Sequence, residues 1–374
     1  MAAALRLRLV VSIAPALLSC GAPADAGPIG DGTGGTTTST STTVDGTGTT
    51  TSTLGDTSSS GSIATSGSTS SGASSSDTGT GSQTGDTGVV VDWDCDALTE
   101  PFVSQQTLVN PRGQHDVAFD GDGRILGFDG ASILAVTYDD EVTVWVPGVT
   151  AASGMDVLEN GDLLYTDENL GALRRVSVLD QQTWTVATDL PAAYGITVGP
   201  DQQAYVATGY DVVRVDPETG DVELFVVLPQ SVQPRGTVFN LDSTGVYVIA
   251  ANSPGAAVYL VAVDENLDPT GATSVVALGV GFGYHDAIGI DACGNLYIAD
   301  FYSWALYRVA PDGTVSTIYA NVESGLYGHG LEWGSGLGGW NDRAIYLPLR
   351  FGGLLVSEMV LGVPSGSAVR TWNR

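Results

Sequence analysis

Asp286-Ala287-Ile288-Gly289-Ile290-Asp291-Ala292-Cys293-Gly294-Asn295-Leu296-Tyr297-Ile298-Ala299-Asp300 reads as two short strands around a tight turn. Apolar side chains alternate through Ala287 to Asp291, Ala292-Cys293-Gly294-Asn295 carries the turn chemistry, and Leu296 to Ala299 runs back. A second pair, Ala305 to Val309 and Thr314 to Tyr319, flanks Pro311-Asp312-Gly313. Working outward, a polar residue, a compact residue and then apolar-x-apolar recur near His115, Ser153, Tyr194, Arg235, Asp286 and His329. These starts lie 38, 41, 41, 51 and 43 residues apart, with no helical pattern between them. A period near ~40 to 50 of this kind predicts an all-β, six-bladed β-propeller with four strands per blade. The first strand of every unit then lines a central axis, and the residue before it points into one axial mouth.

Similar turns fall at Asp120-Gly121-Asp122-Gly123, Asn160-Gly161 and Asp216-Pro217-Glu218-Thr219-Gly220. The first is reminiscent of a calcium loop but lacks the rest of the ligand spacing, so it reads as a hairpin. The fourth unit is the longest, and its excess between about Asn252 and Phe282 predicts longer outer strands and a projecting loop. Two segments compete to close the ring, Phe102 to Val109 and Ala368 to Trp372. The N-terminal one has the stronger case, because Asn110-Pro111-Arg112-Gly113 echoes Gln233-Pro234-Arg235-Gly236.

Ahead of the repeats the chain changes character. Arg6 and Arg8 precede an apolar run from Leu9 to Leu18 that is too short to span a bilayer, which is the pattern of an export signal. From Ala22 to about Val89 the chain is Gly, Ser and Thr with scattered Asp, and it cannot bury enough surface to offset the entropy of ordering. A disordered Ser/Thr/Gly linker of roughly 68 residues is expected, with a reach of about 45 Å. Its Thr/Ser tract also offers acceptors for O-glycosylation. The remaining ~285 residues suffice for one large all-β domain.

The chain carries 42 acidic against 13 basic residues, a net charge of −29. Nucleic acid is therefore excluded as a partner, since phosphate contacts need basic clusters. Every basic residue is Arg, so Schiff-base chemistry and lysine general bases are excluded as well. Nothing in the pattern calls for an oligomer, and a monomer is expected.

Leu17-Leu18-Ser19-Cys20-Gly21 resembles the lipobox of bacterial lipoproteins. The resemblance implies a signal peptide over 1–19, a lipidated Cys20 followed by linker over 20–90, and a propeller over 91–374. Gly21 after the Cys implies outer-membrane sorting, so the protein would meet the membrane only through its lipid. The competing reading is an ordinary signal and a soluble exported protein. Cys95 and Cys293 then remain as a pair in an oxidising compartment, for which a disulfide is the default and two thiols the alternative.

Gly294-Asn295-Leu296-Tyr297-Ile298-Ala299-Asp300, with Leu306-Tyr307-Arg308-Val309 and Pro311-Asp312-Gly313, is similar to blades of the NHL and SMP-30/gluconolactonase group of six-bladed propellers. The similarity covers about Arg112 to Val363. It implies a mouth in which a Glu, an Asn and an Asp hold a divalent metal. Asp286 matches the family's Asp, but His115 stands where its Glu is expected, and Tyr194 and Arg235 stand where its Asn is. In place of that triad, Asp286, His115 and His329 fall on neighbouring blades of a six-blade ring, a two-His, one-carboxylate set suited to one divalent metal. The competing reading is a polar tunnel, with Arg235 pairing with Asp286. His285 reads either as a packing residue or as a base beside Asp286, as in the streptogramin lyases, with Glu332 as the accompanying acid.

Asp129, Asp167 and Asp300, at the ends of second strands, are expected to accept backbone N–H groups of the next turn. Arg175, Arg214 and Arg308 recur on third strands, where their stems cover apolar surface and their heads pair with acids. Two functions remain. One is an envelope-anchored propeller that binds a ligand or partner through its mouth, formed by Ser153, Tyr194, Arg235 and His285, and through its rim loops, with no cofactor. The other is a metal-dependent hydrolase of small lactones or esters.

Overall fold

The computed structural model describes Cys95 and residues 104–229, 232–320, 330–349 and 354–367. The expected signal peptide, Cys20, the linker, His329 and the C-terminal candidate strand lie outside the described residues.

Among the described residues, twenty-four strands form six four-stranded antiparallel sheets. After β1 (Ser104–Arg112) the chain builds blade one from β2 (Val117–Phe119), β3 (Arg124–Phe128), β4 (Ser132–Thr137) and β5 (Val142–Pro147). Blade two follows with β6 (Met155–Val157), β7 (Leu163–Asp167), β8 (Ala172–Val176) and β9 (Thr183–Ala187). Blade three comprises β10 (Ile196–Val198), β11 (Ala204–Ala207), β12 (Asp211–Val215) and β13 (Val222–Val227). Blade four has β14 (Gln233–Phe239), β15 (Gly245–Ala251), β16 (Val258–Val263) and the nine-residue β17 (Pro269–Ala277), so the outer strand is long as the sequence predicts. Blade five has β18 (His285–Ile290), β19 (Leu296–Asp300), β20 (Ala305–Val309) and β21 (Val315–Ala320). Blade six has β22 (Glu332–Trp333), β23 (Ala344–Leu349) and β24 (Leu355–Val360).

Its fourth, outermost strand is β1, antiparallel to β24 from Ser104 opposite Val360 to Leu108 opposite Val356. The N-terminal segment therefore closes the ring. Closure of this kind pairs the first strand of the domain with the last and removes an open seam.

Because side chains alternate across each strand, every blade presents two apolar faces. Each face packs on a neighbour, and among the described residues the buried core is divided into six clusters, one per blade junction. Ile133 and Trp145 of blade one meet Met155 and Tyr165 of blade two, and the pattern continues around to Trp333 and Ile345 of blade six against Tyr297 of blade five. The junction between blades six and one sets Tyr346 and Trp340 against Phe119, with ring centres 5.1 and 5.3 Å away.

The face opposite the mouth carries two further ties. Cys95 is disulfide-bonded to Cys293 in the first hairpin turn of blade five. The segment after β24 crosses the same turn, with Ala292 donating to the Pro364 carbonyl at 3.0 Å and Gly366 to that of Ile290 at 2.8 Å.

Candidate functional site: the axial mouth

Strand pairing aligns the six mouth positions. The residue that closes each first hairpin (Asp120, Leu158, Gly199, Asn240, Asp291 and Gly334) donates its backbone N–H back across that turn. Counting five residues back from each gives His115, Ser153, Tyr194, Arg235, Asp286 and His329. The sequence repeat and the hydrogen-bond register thus agree for the five described positions, His115, Ser153, Tyr194, Arg235 and Asp286.

Two members of this ring are set apart by backbone geometry. In β14, Pro234 pairs with Ala250 and Gly236 with Ile249, so Arg235 is an extra residue in the ladder. In β18, His285 pairs with Asp300 and Ala287 with Ala299, so Asp286 is likewise extra. A β-bulge re-aims the side chain it carries and commonly borders a site.

Arg235 is half-buried, and its guanidinium carbon lies 4.1 Å from the centre of the Tyr194 ring and 5.4 Å from that of Tyr284. Its Nη2 donates to the Tyr284 hydroxyl at 2.9 Å. Tyr284 is held in turn by its own N–H on Asp300 Oδ2 at 2.9 Å and by Phe301 and Tyr302, at ring distances of 5.2 and 4.7 Å. Burial raises the Tyr284 hydroxyl pKa, against the pull of Arg235. The expected Arg235–Asp286 ion pair does not form: no carboxylate among the described residues lies within 4.0 Å of Arg235, whose side chain goes to the tyrosines. Cation–π attraction and the phenol hydrogen bond take the place of a carboxylate.

His115 turns the other way around the ring. Its Nδ1 lies 3.5 Å from the Tyr194 hydroxyl and its Nε2 3.9 Å from Glu168 Oε1. The small Ser153, between them in ring order, leaves Tyr194 room to reach across blade two, and the Ser153 hydroxyl has no hydrogen-bond partner among the described residues. His285 is fully buried and its Nε2 lies 2.7 Å from the Val280 carbonyl, which makes it the donor. Burial lowers its pKa, opposed by that carbonyl and by Asp300, which favour the charged form. Asp286 is buried at 2 % exposure on the same bulge. No group of three or more His, Cys, Asp or Glu among the described residues is arranged to hold a metal ion. The structure thus orients His115 toward Tyr194 and Glu168, and the third residue of the expected set, His329, lies outside the described residues.

Below the ring runs a narrow axial cavity of about 80 Å³, bordered by Arg235 and Asp286 at the mouth and by Ser365 and Ser367 at the far end. It also holds a carboxylate that breaks the pattern of the six units. One residue inward from the ring, five units carry Gly154, Gly195, Gly236, Ala287 and Gly330, whereas blade one carries Asp116. The Asp116 carboxylate accepts the N–H groups of Val117 at 2.8 Å and of Met155 on blade two at 2.9 Å. Burial raises its pKa well above the carboxylate range, opposed by those two N–H groups and helped by the charges of Glu332 and Asp156. Asp156 repeats the device one blade on, taking the Val198 N–H at 2.6 Å, and the Thr197 hydroxyl donates to the Thr237 carbonyl at 2.6 Å. These side chains satisfy the inner edges of the first strands, which have no further strand to pair with. Glu332, proposed above as a lyase acid, stands in this cavity beside Asp116.

The remaining expectations concern scaffolding. Asp129 accepts from Ala131 and Ser132, Asp167 from Leu170, and Asp300 from Ser303, all through backbone N–H groups. Arg175 joins Asp162 to Glu218 of the next blade, and Arg214 joins Glu223 to Asp268 of the next, whereas Arg308 makes no ion pair among the described residues. Asp120 takes the N–H groups of Asp122 and Arg124 at 3.0 and 2.9 Å, as a hairpin aspartate does.

No family model matches the chain, and no curated protein does. Its fold is similar to solved six-bladed propellers. A gluconolactonase from Xanthomonas campestris superposes with a TM-score of 0.56 at 14% identity, covering 71% of this chain and 95% of that one. Virginiamycin B lyase from Staphylococcus aureus gives 0.51 at 12%, covering 69% and 98%. An auxiliary nutrient binding protein from Bacteroides ovatus gives 0.52 at 12%, covering 66% and 69%. At these identities the likeness is one of fold, on which binding and catalysis are both built.

Proposed function

We propose that this propeller binds a small molecule over its axial mouth, with Arg235, Tyr194 and Tyr284 as the recognition surface, and that an N-terminal lipid tether holds it at the cell envelope. The observation that carries this reading is the bulge in β14, which puts one guanidinium at the mouth and stacks it on a tyrosine. Such a group is oriented before any ligand arrives, so little rotamer entropy is lost on binding. The cavity of about 80 Å³ is small for a ligand pocket of several hundred Å³. The ligand therefore rests on the rim and sends one polar group inward. The test is a ligand screen by thermal shift on the full chain beside Tyr194→Ala. Compounds that raise the wild-type midpoint and leave the variant unmoved support the reading; hits that shift both proteins equally refute it.

A second reading, a metal-dependent hydrolase of lactones or esters, is favoured by one observation: Asp286 is buried on the other bulge, at the position where the resemblance to SMP-30 places a ligand. Elemental mass spectrometry of the full chain beside Asp286→Ala separates the two. The binding reading expects no stoichiometric metal in either protein. One equivalent lost in the variant, together with loss of lactone turnover, would establish the hydrolase instead.

A further inference from the structure

Arg124, Arg175 and Arg214 each clasp two carboxylates, as expected in a chain with 42 acidic residues. Arg235 takes a tyrosine hydroxyl and a tyrosine face instead. Its position explains the difference: the bulge at Pro234/Gly236 turns it to the axis, away from the hairpin acids that serve the other three. A guanidinium has five N–H donors in a planar fork. One of them is used at Tyr284 Oη, and the stacking on Tyr194 occupies a face of the group and leaves its edge. The ligand that completes such a fork is a planar carboxylate, bound by two parallel hydrogen bonds.

The surroundings specify what the carboxylate is attached to. Tyr302 and Phe282, on the loops beside Tyr284, are 58% and 75% exposed. Tyr302 leans on Tyr284 with ring centres 4.7 Å apart and planes tilted by 59°, so aromatic surface continues outward from Arg235 along the rim. A cyclic body laid on that surface, sugar or arene, places a carboxylate substituent over Arg235. We infer that the mouth recognises a ring-bearing monocarboxylate, its carboxylate on Arg235 and its ring on the Tyr284–Tyr302 rim. This inference rests on the binding reading above and adds the chemical class of the ligand.

Matched acids and amides test it, because each pair keeps the ring and removes only the charge. Calorimetric titration of the full chain would use D-glucuronate against D-glucuronamide, and benzoate against benzamide, with wild type, Arg235→Lys and Arg235→Gln. The expected result is that one acid binds at least ten-fold more tightly than its amide. The pair that responds identifies the body as saccharide or arene. Arg235→Lys should retain part of the preference, having the charge without the fork, and Arg235→Gln should abolish it. Equal affinity of acid and amide would overturn the carboxylate assignment while leaving the mouth as a binding site. Binding of neither acid at millimolar concentration would overturn the assignment for both sources, and the thermal-shift screen would then judge the mouth independently.

Discussion

A Cβ on Gly195 would lie 2.1 Å from the Arg235 carbonyl oxygen and 3.1 Å from its carbon. That oxygen already accepts the Gly195 N–H, at 3.1 Å, across the junction of blades three and four. Gly195→Ala must therefore push backbone against backbone and displace the residue at the centre of the proposed site. The equivalent Gly236 meets only the side chains of Ile288 and Ile249, at 3.2 and 3.4 Å. Ala at 195 is expected to lower stability by about 1–3 kcal/mol in denaturant unfolding and to weaken mouth ligands, whereas Ala at 236 should cost under about 1 kcal/mol. Equal costs at the two positions would contradict the close-approach argument. Asp116 is the converse case, a large residue where the other units have Gly or Ala. It is tolerated because its two oxygens take two N–H groups that would otherwise be buried without partners.

Turns show how the repeated elements respond to pH. Asp180, Asp216, Asp242 and Asp312 all have pKa values lowered by turn groups: Asp312 chiefly by the Thr314 N–H, Asp216 by that of Glu218, Asp180 by the Ser177 hydroxyl and Asp242 by the Thr244 hydroxyl. A carboxylate with a depressed native pKa contributes stability that is present above its unfolded value, about 3.9. That contribution is lost as pH falls through the native pKa. The unfolding midpoint should thus decline below about pH 4, and Asp312→Asn should flatten part of that decline while leaving the slope at neutral pH alone. An acid limb of unchanged steepness in the variant would show that this turn contributes nothing. The buried tyrosines form a second repeated element. Tyr205 and Tyr297 send their hydroxyls to Asp201 and Asp291 in the adjoining hairpin turns, at 2.9 and 3.0 Å, which ties the middle of each blade to its end.

For the molecule as a whole, the ring is held by the β1–β24 pairing and by a disulfide that links residues 198 positions apart. In the chain-entropy account a loop of that length contributes at most about 5 kcal/mol. Both sulfurs belong to the face opposite the mouth, so reduction should lower the thermal midpoint and leave ligand affinity at the mouth unchanged. Affinity that falls in parallel with the midpoint, measured well below both transitions, would show that the two faces are coupled. Because the C-terminal segment crosses the opposite end of the axis at Asp291 and Ile290, ligand access is expected from the mouth side.

The six-bladed all-β ring and the register of its first strands were legible in the sequence, because alternation and turn chemistry are local and recur with a period of about one blade. The same locality identified the turn aspartates Asp129, Asp167 and Asp300, each of which accepts a backbone N–H within three residues in the next turn. Mouth chemistry was not legible in this way. Whether Arg235 meets Asp286 or Tyr284 depends on two bulges and on the angle between blades, and neither leaves a local signature. His115 was visible as a mouth residue, but its partners Tyr194 and Glu168 come from other blades. Asp116 was the exception that could have been found: aligned with Gly154, Gly195, Gly236, Ala287 and Gly330, it is the one charged residue at a position where strands nearly touch. Periodic, short-range preferences made the propeller; contacts between residues of different blades, set by how the ring closes, made its site.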